Sequence, residues 1–128
     1  MIQAYDHIQI AMPEGQEAVA RQFYGTLLRM AELPKPDLLR ARGGCWFRSG
    51  GAVLHLGCET PFHPARKAHP CFVVDDLEAT QSLLEKAGHP CVRADGERPG
   101  ILRFYTSDPF GNRLEFQESE GPREQSVR

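Results

Sequence analysis

Residues 6–12, Asp-His-Ile-Gln-Ile-Ala-Met, and residues 68–74, Ala-His-Pro-Cys-Phe-Val-Val, open two halves of the chain in the same way. Each sets a histidine at the head of a β-prone run, and each is followed by turn residues: Pro13-Glu14-Gly15 in one case, Asp75-Asp76 in the other. A helical pattern comes next in both halves. Val19, Phe23 and Leu27, beside Ala20, Tyr24 and Leu28, recur at i, i+4 along a helix predicted from about Gln16 to Met30. In the second half Asp75 and Glu78 read as a capping box, Leu77, Leu83, Leu84 and Ala87 supply an apolar side, and Gly88 ends the helix. Three short strands follow each helix, at about 38–41, 45–48 and 52–56, then at 90–94, 102–106 and 113–117. Each half is therefore βαβββ, and the predicted fold is α+β. Module one covers about 4–57 and module two about 68–118, in a single domain spanning residues 1–128. Residues 57–67 form a Pro- and basic-rich connector, and residues 119–128 are polar and expected to fray.

Composition narrows the class further. With 128 residues, 41% apolar and 25% charged, the chain has enough core to fold without a disulfide or a structural metal, so a metal here would be functional. Fifteen Lys and Arg against seventeen Asp and Glu leave a net charge of −2, which excludes a field built to hold nucleic acid. No apolar run approaches the roughly 20 residues of a membrane helix, and no signal-peptide pattern opens the chain, so a cytoplasmic location is expected. Cys45, Cys58, Cys71 and Cys91 are widely spaced and read as reduced thiols.

Four residues occupy matching places in the repeat. His7 and His69 open the first strand of each half; His55 and Glu115 lie in the last strand. Strand side chains alternate between faces, and Leu54 with Leu56 flank His55 as Leu114 with Phe116 flank Glu115. If the apolar residues face the helices, then His7, His55, His69 and Glu115 point the other way and could converge. Three imidazoles and a carboxylate suit a divalent transition metal: zinc, nickel, iron or manganese. Glu115 and His55 are also the candidate catalytic proton carriers. Arg103 and Tyr105 share parity in the seventh strand and are candidates for an anionic substrate group. Arg66 and Lys67, in the connector, could attract an acidic substrate as part of a lid. Of Trp46 and Phe47, one packs under a helix and the other faces the site; Phe47 is carried as the substrate-contacting candidate. His63 and His89, next to prolines, receive no role.

At these residues the chain resembles the vicinal oxygen chelate superfamily, which includes glyoxalase I, bleomycin- and fosfomycin-resistance proteins and extradiol dioxygenases. The resemblance covers about residues 4–118. It is carried by Asp6-His7-Ile8-Gln9-Ile10, Phe23-Tyr24-Gly25, Ala52-Val53-Leu54-His55-Leu56, His69-Pro70-Cys71-Phe72-Val73-Val74 and Asp108-Pro109-Phe110-Gly111-Asn112-Arg113-Leu114-Glu115-Phe116. It implies two βαβββ modules forming a mixed sheet cupped around a metal, often in a homodimer whose chains share ligands. His7, His69 and Glu115 match the family's two-histidine, one-glutamate set, and His55 stands where glyoxalase I carries glutamate. The implied activity is that of a metal-dependent lyase or isomerase acting on a small molecule with adjacent oxygens. The alternatives are a metal-free binding protein of the bleomycin-resistance type and a small iron(II) dioxygenase.

Overall fold

The structure is a computed structural model and describes residues 1–120, so the expectation for the C-terminal tail falls from residue 121 onward outside the described residues. Two compact units divide the chain. The first comprises Met1–His69 with Asp108–Arg113, and the second Pro70–Ser107 with the residues from Leu114 onward.

In the first unit β1 (Ile8–Met12) leads into α1 (Glu17–Ala20), which widens into a π-helical stretch over Arg21–Leu27. There follow β2 (Ala31–Leu33), α2 (Asp37–Arg40), β3 (Cys45–Ser49) and β4 (Ala52–Cys58), with the sheet ordered β1-β4-β3-β2. The second unit repeats the plan: β5 (Cys71–Val74), α3 (Leu77–Lys86), β6 (Val92–Arg93), a 3-10 turn at Asp95–Glu97, β7 (Arg103–Ser107) and β8 (Arg113–Glu118). Its sheet order is β5-β8-β7-β6, and in both units the first and last strands pair in parallel. The register makes the duplication explicit, since Gln9 lies opposite His55 and Cys71 lies opposite Glu115. The α+β class and the two βαβββ modules follow directly.

Local chemistry explains where the elements depart from expectation. Of the segment predicted as a strand at 38–41, residues 38–40 lie in α2 and Ala41 caps its end. Pro36, extended at φ −57 and ψ 148, ends the preceding chain direction; Asp37 opens the turn and pairs with Arg40 at 2.7 Å. Leu38 is exposed there, and the true second strand, Ala31–Leu33, is held to the π-helical stretch by Arg21 Nε donating to both Glu32 oxygens at 2.9 and 3.1 Å. The first helix is not uniform: Leu28 N donates to Phe23 O and Met30 N to Tyr24 O, wider than the i−4 pattern. The wider turn buries the adjacent Phe23 and Tyr24 together, while Val19 faces out.

The cap of α3 is Asp76, not Asp75. Its carboxylate accepts from Ala79 N at 3.0 Å, a second N-terminal donor, Leu77 N, reaches Glu118 Oε1 at 3.1 Å, and Glu78 turns instead to Arg93. Replacing Asp76 by alanine should cost about 1 kcal/mol in urea unfolding. An unchanged midpoint would show that water satisfies the helix end equally well. Among the described residues no helix is long and apolar enough to cross a membrane.

The cores form on the alternation the sequence displays. Leu54 and Leu56 are buried with Met12, Tyr24 and Phe47 in the first unit; Leu114 and Phe116 are buried with Leu77, Leu84 and Phe104 in the second. The residues between them, His55 and Glu115, take the opposite face.

Candidate functional site

In the first unit three rings stack. The imidazole of His55 lies between His7, 3.9 Å away and 18° from parallel, and the indole of Trp46, 3.9 Å away and 3° from parallel. The sheet builds this stack: β3 and β4 pair with Trp46 opposite His55, and His7 sits just ahead of β1, the neighbour of β4 on its other side. His55 is 8% exposed, and burial, followed by the neighbouring His7, lowers its pKa from the ordinary histidine value. A lowered folded-state pKa makes the neutral ring the native form. Its contribution to stability is complete above the unfolded value near 6.5 and is lost as pH falls through the lower folded value. Thermal stability of the wild type should therefore drop more between pH 7 and pH 5 than that of His55→Gln; equal slopes would show that the stack does not favour the neutral ring.

His7 Nδ1 lies 2.9 Å from Asp6 Oδ2, and His69 Nδ1 lies 2.8 Å from the carbonyl of Lys67. A carboxylate and a carbonyl only accept, so Nδ1 carries the proton in each ring and the neutral imidazole has its lone pair at Nε2. This is the outer-shell arrangement that orients metal-binding histidines. The His7 contact in turn lowers the pKa of the Asp6 carboxyl.

In the second unit Glu115 is 6% exposed. Arg103 donates to its Oε2 at 2.9 Å; Cys71 stands opposite Glu115 in register, and its thiol donates to Gln117 Oε1 at 3.7 Å. Burial, followed by the charge of Glu115, pushes the Cys71 thiol up to about 11, so it stays protonated and serves as a donor.

The structure brings His7 and His55 together. Among the described residues, no group of three or more His, Cys, Asp and Glu is arranged to hold a metal ion. Taken singly, the donors fit one. His7 and His69 are held in the right tautomer, and Glu115 is an oriented carboxylate. His55 fits less well as a co-ligand of His7. Ring lone pairs lie in the ring plane, and two planes stacked face to face do not aim both at one ion about 2 Å away.

The substrate candidates divide. Phe47 has no exposed surface; it packs against Tyr24 in the core, and the aromatic on the site face is Trp46. Arg103 is buried and bound to Glu115, Glu97 and the Ala94 carbonyl, so it is not an open anion receptor; its guanidinium carbon lies 5.5 Å from the centre of the Tyr105 ring. Arg66 and Lys67 are exposed in the connector. Sequence reasoning gave no site role to Asp6 or Cys71 and carried Phe47 in preference to Trp46, although Asp6 is adjacent to His7 and the register of β3 follows from the turn after Ser49.

The family model described as Glyoxalase/Bleomycin resistance protein/Dioxygenase superfamily matches residues 4–116. The chain belongs to that superfamily. A solved structure of a protein assigned to the glyoxalase family, from Bacillus anthracis, is 48% identical with a TM-score of 0.87, over 93% of this chain and 97% of that one. The fosfomycin resistance protein FosX from Listeria monocytogenes shares the glyoxalase-type fold at a TM-score of 0.72 and 11% identity, over 93% and 95% of the two chains. A glyoxalase/dioxygenase from Nostoc punctiforme has a TM-score of 0.66 and 21% identity, over 93% and 97%. A search of curated proteins gave no match.

Proposed function

We propose that the chain is a metal-dependent enzyme of the glyoxalase type, a lyase or isomerase acting on a small molecule with two adjacent oxygens. His7, His69 and Glu115 hold the divalent ion, and His55 carries the proton. The observation that supports this most is the outer shell: two histidines fixed through Nδ1 and one carboxylate fixed by an arginine, at positions the internal repeat relates. As the resemblance implies, the reading places the centre in a homodimer, with His7 of one protomer and Glu115 of its partner serving the same ion. The four free cysteines accord with a reducing compartment such as the cytoplasm.

A bound divalent ion would supply Lewis-acid stabilisation of an oxyanion developing on the paired substrate oxygens. The chain supplies the rest. His55, with both ring faces covered, exchanges a proton only at its ring edge, and desolvation keeps it unprotonated near neutral pH, ready to act as a base. Trp46 keeps water from one face of that ring. Arg103 holds the Glu115 carboxylate, and the Asp6 carboxylate maintains the His7 tautomer. Arg66 and Lys67 would draw an acidic substrate toward the site.

The test is metal content after purification without a histidine tag. The wild type should take up about one equivalent per chain, while His7→Ala and Glu115→Gln, folded by circular dichroism, should take up almost none. A wild-type chain that stays empty when metal is supplied would instead support a metal-free binding protein. Oxygen uptake with catechols would turn the assignment toward a dioxygenase.

A further inference from the structure

Every nitrogen of the Arg103 side chain is committed. Nη1 donates to Glu115 Oε2 at 2.9 Å, Nη2 to Glu97 Oε1 at 2.6 Å and Nε to the Ala94 carbonyl at 3.3 Å. Its backbone N–H donates to Asp95 Oδ1 at 3.0 Å, which ties the strand to the 3-10 turn that carries Glu97. A guanidinium presents its donors in a rigid fork, so a group held at all three nitrogens has little freedom to swing toward a substrate. Charge points the same way: the Arg103 guanidinium is already flanked by the carboxylates of Glu97 and Glu115, which offset the positive field that would draw an anion.

The internal repeat gives an independent argument. Phe47 in β3 and Phe104 in β7 are the fully buried core aromatics of their strands. The residues just before them are Trp46 and Arg103. Trp46 lies flat on His55 of the last strand of its module; Arg103 grips Glu115 of the last strand of the other. One position in the repeat has thus been given two chemistries, an indole plane against an imidazole and a guanidinium fork against a carboxylate. Each suits the group it immobilises.

We infer that Arg103 is a positioning residue, not a substrate-binding one: by holding Oε2 of Glu115 it fixes the orientation in which that carboxylate is presented to the ion. This rests on the reading of Glu115 as a metal ligand. Glu97, which is mostly exposed, is the outer anchor of the same device.

Cobalt(II) titration of the purified, full-length protein tests it, because the visible absorption of the bound ion reports both affinity and ligand geometry. Arg103→Gln should weaken cobalt binding by roughly 10- to 100-fold and alter the spectrum, the range expected when a ligand loses its outer-shell partner. Arg103→Lys, which keeps the charge and loses the fork, should recover part of the affinity. Glu97→Gln, a surface change, should weaken binding by about threefold with a smaller spectral shift, and it decides the matter if Arg103→Gln does not fold. Folded Arg103 and Glu97 variants with wild-type affinity and spectrum, alongside a Glu115→Gln chain that binds no cobalt, would overturn the positioning role alone. A folded wild type that binds no cobalt would overturn this role and the metal-dependent reading together.

Discussion

Replacing Gly44 by alanine is expected to be among the most damaging single changes in the first unit, costing about 4 kcal/mol or more. Gly44 has φ +82, and a Cβ built there would stand 2.1 Å from the carbonyl oxygen of Leu56 and 3.1 Å from its carbonyl carbon. Both are backbone atoms of β4, so relief requires moving a strand and not just turning a side chain. Its N–H also donates to Glu17 Oε2 at 2.8 Å, the contact that does most to lower that carboxyl's pKa. The consequence reaches the site, because Cys45 pairs with Leu56 at the start of the same ladder that sets Trp46 opposite His55. Gly50→Ala is the control. It too has positive φ, at +56, but open space around it, and should cost only about 1 kcal/mol. Equal losses for the two in urea unfolding would mean that backbone conformation, and not the close approach to β4, accounts for the effect.

A second large loss is expected for Asp108→Ala, about 3 to 5 kcal/mol. The carboxylate is buried and accepts four hydrogen bonds: from Tyr24 Oη at 2.7 Å, Phe110 N at 2.9 Å, Asn112 N at 2.9 Å and Asn112 Nδ2 at 3.0 Å. Removing it strands several buried donors at once, which costs far more than each bond contributes when both partners are present. Asn112 carries the network onward, since Nδ2 also donates to the Ala11 carbonyl at 2.8 Å and Oδ1 accepts from Ala65 N at 3.0 Å. Burial, then Asp108, raises the pKa of Tyr24 well above its ordinary value, so the phenol remains the donor at any working pH. Tyr24→Phe, which removes one donor of the four, should lose only about 1 kcal/mol. Thermal and urea unfolding of the two variants check the ordering; an Asp108→Ala protein within about 1 kcal/mol of wild type would show that water replaces the carboxylate.

Much of the architecture can be read from alternation alone. Leu54-His55-Leu56 and Leu114-Glu115-Phe116 each bury their outer residues in a core and turn the middle one away, because period two is a strong constraint once one face is covered. The place of Trp46 was also legible. Gly50-Gly51 form a two-residue hairpin loop, which pairs Ser49 with Ala52 and therefore Trp46 with His55. Choosing Phe47 instead overlooked that register. Leu38-Leu39 misled for a different reason: two apolar residues next to each other carry no period, and Pro36 followed by Asp37 favours a helical start. The π-helical stretch has no signature in spacing, since it is the burial of Phe23 and Tyr24 together that selects it. The commitments of Arg103 were beyond sequence reasoning. Its partners Ala94, Glu97 and Glu115 come from a turn and a neighbouring strand, and only tertiary packing makes them neighbours.

The central claim is that a divalent ion is held jointly by the first module of one chain and the second module of another. Mixing tests it most directly: His7→Ala and Glu115→Gln proteins are purified metal-free, combined in equal amounts, unfolded, refolded together and assayed for bound metal. Neither parent should take up appreciable metal, whereas random pairing makes about half the dimers mixed, each with one intact centre, and should restore about a quarter of an equivalent per chain. A mixture as empty as its parents, or parents that bind like the wild type, would contradict the account.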